Sequence, residues 1–187
     1  EGGHFALSVS DTANLSGDAS VIADTLTLSG GDWSLQDTAS IAGNVEANVQ
    51  HLSVCADCSI TASAKGYAAT MGPGGASTEG ISRSGSGAGH GGAGQMGFNS
   101  SGGAGSPYGE GLAPETMGSG GGGGCSGSGM GGTGGGALRL QVSGTLSLSG
   151  RLLAQGTSGT NCMDSRYGGG GGSGGSIWKP PVLPVVR

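Results

Sequence analysis

Charge and aromatic rings are scarce in this chain. Only 10% of the 187 residues are charged and 4% are aromatic, so neither a charge-rich catalytic cleft nor a core of large rings is available. The seven Lys and Arg are scattered from Lys65 to Arg187 against a formal net charge of −5. Nucleic acid and anionic lipid both require clustered positive charge, which argues against them as partners. No apolar run of about 18 residues exists, so no membrane span is expected. No signal peptide is legible, and the opening on Glu1 reads as a processed protein or an internal piece of a larger one.

Glycine is abundant instead, with 47 residues. Residues 72–136 are close to half glycine. Such a block offers almost no apolar area and loses much backbone freedom on ordering. If it is ordered, it needs backbone-to-backbone packing or a supporting surface. With few large side chains elsewhere, stability must come from backbone hydrogen bonding and thin, repetitive packing.

On either side of the block the chain alternates. Leu7-Ser8-Val9, Leu26-Thr27-Leu28, Trp33-Ser34-Leu35 and Leu52-Ser53-Val54 each place apolar side chains two apart, the period of a half-buried strand. Asp11, Asn14, Gly17-Asp18, Gly30-Gly31-Asp32 and Gly43-Asn44 read as turns between them. Short strands at spacings of roughly 6–10 residues suit the rungs of a parallel β-helix, so the expected class is all-β and β-solenoid-like, with a long glycine-rich insertion. A β-sandwich shares the strand spacing and is the alternative. The phrase returns after the block, in Leu138-Arg139-Leu140-Gln141-Val142, Leu146-Ser147-Leu148 and Leu152-Leu153-Ala154-Gln155-Gly156. It parallels Leu52-Ser53-Val54 and Ile60-Thr61-Ala62-Ser63-Ala64-Lys65-Gly66. Each copy precedes a glycine tract, which implies an internal repeat. The expected division is first β-rungs at 1–71, insertion at 72–136, second β-repeat at 137–178 and a Pro-rich arm at 179–187.

The string Gly-Gly-Gly-Gly-Gly-Ser-Gly-Gly-Ser-Ile-Trp at 168–178, with Gly144-Thr145-Leu146-Ser147-Leu148-Ser149-Gly150 before it and Gly89-His90-Gly91-Gly92-Ala93-Gly94 and Tyr108-Gly109 in the insertion, resembles the glycine-rich β-helical repeats of very large plant, algal and protist surface and wall-associated proteins. The resemblance spans roughly residues 52–178. It implies an extracellular structural or adhesive role, as in a surface filament or flagellar hair.

Four cysteines, Cys55, Cys58, Cys125 and Cys162, accompany a weak core. With the sequons at Asn14 and Asn99 they favour an oxidising, extracellular or cell-surface setting. A redox Cys-x-x-Cys wants a helix N-terminus, and Cys55-Ala56-Asp57-Cys58 lies between strand phrases. A zinc site needs a second close pair, whereas Cys125 and Cys162 are isolated. Structural disulfides are therefore expected, preferably Cys55–Cys58 and Cys125–Cys162, although four cysteines allow three pairings.

No other motif holds up as chemistry. Gly85-Ser86-Gly87-Ala88-Gly89 lacks the Gly-Lys-Ser/Thr ending of a phosphate loop, and the tracts lack the aspartates of calcium β-rolls. His4, His51 and His90 are dispersed, so no metal or cofactor is expected. Polysaccharide-active β-helices use paired carboxylates, for which Asp24, Asp32 and Asp37 are candidates. Each sits in turn-like sequence where Asp caps the backbone, so an enzyme is the least favoured reading. An ice-binding face needs a regular threonine ladder, which Thr25, Thr27 and Thr61 do not form.

The glycine block is expected to run in extended polyproline-II-like segments without the strict period of collagen. It would lie against the β-repeats or a neighbouring subunit, anchored by Met71, Ile81, Met96, Phe98, Tyr108, Leu112 and Met117. Trp178, Pro180, Pro181, Val182, Leu183 and Pro184 are the expected assembly contacts, because prolines end a ladder and bare apolar residues seek cover. The function expected is a structural module of an extracellular filament, flagellar hair, surface or matrix assembly that self-associates or joins neighbouring modules. An adhesive or carbohydrate-binding module is the alternative.

Overall fold

Our computed structural model describes residues 3–81, 83–163 and 166–180. Pro181, Val182, Leu183 and Pro184 lie outside the described residues. The chain divides into two compact units, residues 1–61 with 138–153 and 177–187, and residues 62–137 with 154–176.

The first unit is all β. Its strands are β1 (His4–Leu15), β2 (Ser20–Leu35), β3 (Ser40–Val54), β4 (Ser59–Thr61), β5 (Ala137–Val142), β6 (Leu146–Leu148), β7 (Arg151–Leu153) and β8 (Ser176–Trp178). They form one largely parallel sheet, ordered β1-β2-β3-β4-β7, with β5 and β6 on β3 and β8 on β5. Ser20 aligns with Ser40 and Ser40 with Ser59, a repeat of 20 and then 19 residues.

The strands are longer than the sequence suggested, and the reason lies at two glycine sites. Gly30-Gly31 and Gly43 were expected to be turns but are bends inside β2 and β3, where the strand register slips by a residue. A Cβ on Gly31 would strike the Asp11 backbone and one on Gly43 the Ala23 carbonyl. Only glycine lets neighbouring strands bend together there.

The actual turns are Leu15-Ser16-Gly17-Asp18-Ala19-Ser20, Leu35-Gln36-Asp37-Thr38-Ala39-Ser40 and Val54-Cys55-Ala56-Asp57-Cys58-Ser59, stacked on one another. Gly17 (φ 65°) and Asp37 (φ 58°) take the left-handed conformation that suits glycine and aspartate. Asp37 accepts from the Gly17 N–H at 2.8 Å, so it caps the preceding turn. In the third turn a Cys55–Cys58 disulfide closes the corner, with Cα atoms 5.0 Å apart.

The core follows from alternation. Leu26, Val45 and Leu138 align, as do Leu28, Ala47 and Leu140, and Trp33 with Leu52. All are buried. Ile41 and Ile60 form a further buried pair.

The two glycine tracts begin at equivalent points of the strand register. Ala42-Gly43-Asn44 passes that point as a bend. At the equivalent point after Thr61, aligned with Ala42, the chain departs and returns at β5. After Leu153, aligned with Thr61, it departs again and returns at β8.

The second unit is built from extended segments with a three-residue hydrogen-bond period. Gly118 and Gly121 donate to Gly135 and Gly132, three residues apart on an antiparallel neighbour, and Gly124 continues the row to Gly129. The next face of the same run pairs Ser119 with Ser173 and Gly122 with Gly170, again in steps of three. Gly169, Gly172 and Gly175 donate to Thr160, Thr157 and Ala154. Two or more faces with a period of three define extended helices of the polyproline-II kind. Among the described residues of this unit, positive φ occurs in glycine only at Gly72, Gly109 and Gly127, so the straight glycine runs share the negative φ of that conformation. Cβ atoms on Gly121, Gly132, Gly134, Gly170 or Gly172 would lie under 3.0 Å from a neighbouring carbonyl. The sole helical element among the described residues is a 3-10 turn at Cys125–Gly127.

This packing corrects the expected anchors. Met71, Ile81, Met96, Phe98 and Leu112 are exposed; Tyr108 and Met117 alone of the seven are half-buried. Glycine faces in mutual contact leave no slot for a large side chain, so the larger residues point outward.

Candidate functional site

Polar side chains on the outer face of the first unit form two columns. Thr12, Asp32 and His51 align on β1, β2 and β3, and Thr145 extends the row, its carbonyl accepting from the Leu52 N–H at 3.0 Å. Two residues along, Asn14, Ser34, Ser53 and Ser147 align. Trp33 and Leu52 between the columns turn inward and are buried. A groove of about 320 Å³ lies here, lined by Thr12, Asp32, Trp33, Ser34, His51, Leu52, Ser53, Thr145 and Ser147.

His51 Nδ1 accepts from the Thr145 N–H at 2.8 Å. That bond fixes the neutral tautomer, with the proton on Nε2. Nothing local to either residue announces this pairing, because the partners are separated by the whole glycine block. The three aspartates weighed as catalytic candidates occupy different places. Asp24 lies on β2 opposite the Gly43 bend of β3, Asp32 stands in the column and Asp37 caps a turn. Thr38 Oγ1 donates to Asp18 Oδ1 at 2.6 Å in the stacked turn below.

The second unit is tied at one end by a buried carboxylate and a disulfide. Glu79 is 3% exposed. Its Oε1 accepts from Ser100 Oγ and the Gly102 N–H, each at 2.6 Å. Its Oε2 accepts from the Ser101 N–H at 3.1 Å and Ser101 Oγ at 3.3 Å, and Arg83 lies 3.7 Å away. These donors, led by the Ser100 hydroxyl, hold its pKa down to about 2, since each favours the charged form. Cys125 and Cys162 are bonded, with Cα atoms 6.3 Å apart. The Ser126 N–H donates to the Glu79 carbonyl and Cys125 N–H to that of Arg83, which joins the two ties.

At the opposite end, Tyr108 is the internal post. Its hydroxyl donates to the Met117 carbonyl and accepts from Ser119 Oγ, while Ser119 Oγ also accepts from the Gly74 N–H at 2.9 Å. His90 meets the Tyr108 ring edge-on with centroids 4.8 Å apart, and its Nε2 lies 2.8 Å from Thr116 Oγ1. Burial lowers the His90 pKa and raises that of Tyr108.

Asn14 stands exposed on β1. Asn99 is exposed in a left-handed conformation, φ 55°, and its sequon residue Ser101 is engaged by Glu79. Trp178 is half-buried under the Arg139 guanidinium, 5.1 Å from the ring centroid; Pro180 is half-buried. Among the described residues no three His, Cys, Asp or Glu side chains group as metal ligands, and no helix is long and apolar enough to cross a membrane. Two disulfides suit an oxidising compartment.

Comparisons with protein-family models, with curated proteins and with solved structures returned no match.

Proposed function

We propose that this chain is a structural module of an extracellular or cell-surface assembly, a parallel β-solenoid with two glycine tracts inserted at equivalent points of its repeat. It joins neighbouring copies by stacking repeat upon repeat. The parallel register that persists across strands and turns supports a solenoid over a sandwich.

The observation that carries the reading is the end strand β1. Phe5 aligns with Leu26 and Leu7 with Leu28, positions that are fully buried one strand further in. Phe5 is 58% exposed and Leu7 38%. β1 therefore offers core residues and an unpaired row of backbone groups to a further parallel strand. At the other end of the stack, Leu148 on β6 and Ile177 on β8 are also exposed. Apolar residues at both ends, with β1 and β6 each parallel to its neighbour, are what head-to-tail addition requires. Covering the exposed parts of Phe5 and Leu7 contributes about 1–1.5 kcal/mol and about 0.5–1 kcal/mol respectively, in proportion to the surface each still shows.

Sedimentation velocity and electron microscopy across a concentration series test this. The expected result is linear, concentration-dependent oligomers that Leu7→Asp abolishes while the circular dichroism spectrum is retained. A chain that stays monomeric at high concentration refutes self-stacking.

A further inference from the structure

The groove between the two polar columns carries an inference independent of stacking. We propose that it is a binding site for a neutral saccharide. The two columns lie about 7 Å apart along the strands and their members about 4.8 Å apart across them, a grid on the scale of a hexose ring. Its 320 Å³ accommodates one or two such rings.

The groove wall is largely apolar, which suits the C–H face of a sugar ring, and the few polar groups along it select the ligand. Asp32 bears the sole formal charge among the lining residues, and among the described residues no partner bonds its carboxylate. A carboxylate with two free oxygens accepts from a pair of adjacent hydroxyls, and such charge-assisted bonds are the strong ones. His51 accepts the Thr145 N–H at Nδ1, which leaves its other ring nitrogen, Nε2, as the donor. Acceptor and donor are therefore adjacent on neighbouring strands, the complement of a vicinal diol. The hydroxyls of Thr12, Ser53, Thr145 and Ser147 donate or accept as the ligand requires. With no cation in the lining and one carboxylate, uronic acids, sialic acids and phosphates are repelled.

The test is titration of the intact chain with cellobiose, lactose and mannobiose, followed by amide and imidazole NMR shifts. The expected result is saturable movement confined to residues around 32–34, 51–53 and 145–147 for at least one sugar, with Kd about millimolar, as befits a shallow open site. Asp32→Asn, which preserves shape, weakens binding about tenfold or more, and Ser53→Ala does so by a smaller factor. Glucuronic acid does not bind. The proposal is overturned if no sugar gives saturable shifts, if Asp32→Asn binds as well as the parent, or if tetramethylammonium displaces the sugar and binds more tightly.

Discussion

Replacing Gly121 by alanine tests the backbone-to-backbone packing of the second unit most directly. Gly121 lies in the run 118–124, every residue of which is buried. An added Cβ would sit 2.5 Å from the Gly171 oxygen and closer still to that of Gly170. Ordinary contact begins near 3.4 Å, so the two segments must part by about 0.9 Å or more. The bonds that cross this gap, Gly170 N–H to Gly122 O and Ser173 N–H to Ser119 O, are 2.8 and 3.0 Å long. Stretched by that amount they exceed hydrogen-bond range. Two buried pairs left unmade cost about 1–3 kcal/mol each, offset by about 0.4–1 kcal/mol from the stiffer unfolded chain. The net expectation is a loss of about 1–5.5 kcal/mol. Gly91 is the internal control, since a Cβ there meets nothing within 4 Å, and Gly91→Ala is expected to be neutral or stabilising by up to about 1 kcal/mol. Urea unfolding followed by hydrogen exchange at the glycine amides separates the second unit from the first. If Gly121→Ala and Gly91→Ala differ by less than about 1 kcal/mol, the segments are not in contact as described and the reasoning fails.

Removing the Cys125–Cys162 disulfide opens a closure between residues 37 apart in sequence. The chain-entropy relation gives about 4 kcal/mol for it and about 2 kcal/mol for Cys55–Cys58, so Tm should fall further for Cys125→Ser/Cys162→Ser than for Cys55→Ser/Cys58→Ser. The Glu79 pKa is depressed to about 2 from 4.5, so its stabilisation is complete above pH 4.5 and is lost as pH falls towards 2. Glu79→Gln should flatten this part of the acid-unfolding profile, and an unchanged profile contradicts the clamp. His90 has a lowered pKa, so the folded state resists its protonation and stability declines as pH drops below 6.5, the unfolded value. His90→Gln should remove that decline in a thermal-melt series.

The alternating pairs were legible because period-two patterning reports a half-buried strand wherever it occurs. Leu26-Leu28, Trp33-Leu35 and Leu52-Val54 are all buried as that pattern implies. The clearest signal in the sequence is a repeated turn. Leu15 to Ser20, Leu35 to Ser40 and Val54 to Ser59 repeat one six-residue turn, and that phrase alone carries the spacing of 20 and then 19 residues. Glycine permits both a turn and a bend, so Gly31 and Gly43 read alike as turns in sequence, and the deciding factor is the neighbouring strand's backbone. The groove was illegible for a related reason. Asp32, His51 and Thr145 meet only once register is set, and nothing local to any of them says which residue will be adjacent.

The sequence by itself determined that this chain is β-rich, thinly cored, poor in charge and dependent on backbone hydrogen bonds, because composition and period are local properties. Tertiary structure alone decided that the glycine tracts assemble into three-residue-period segments bonded to one another. Glycine has no side chain with which to encode a partner, so its neighbours are selected by the segments that enclose it. Tertiary structure also decided which apolar residues are left exposed: Phe5 and Leu7 share the pattern of Leu26 and Leu28 and differ in having no further strand beside them.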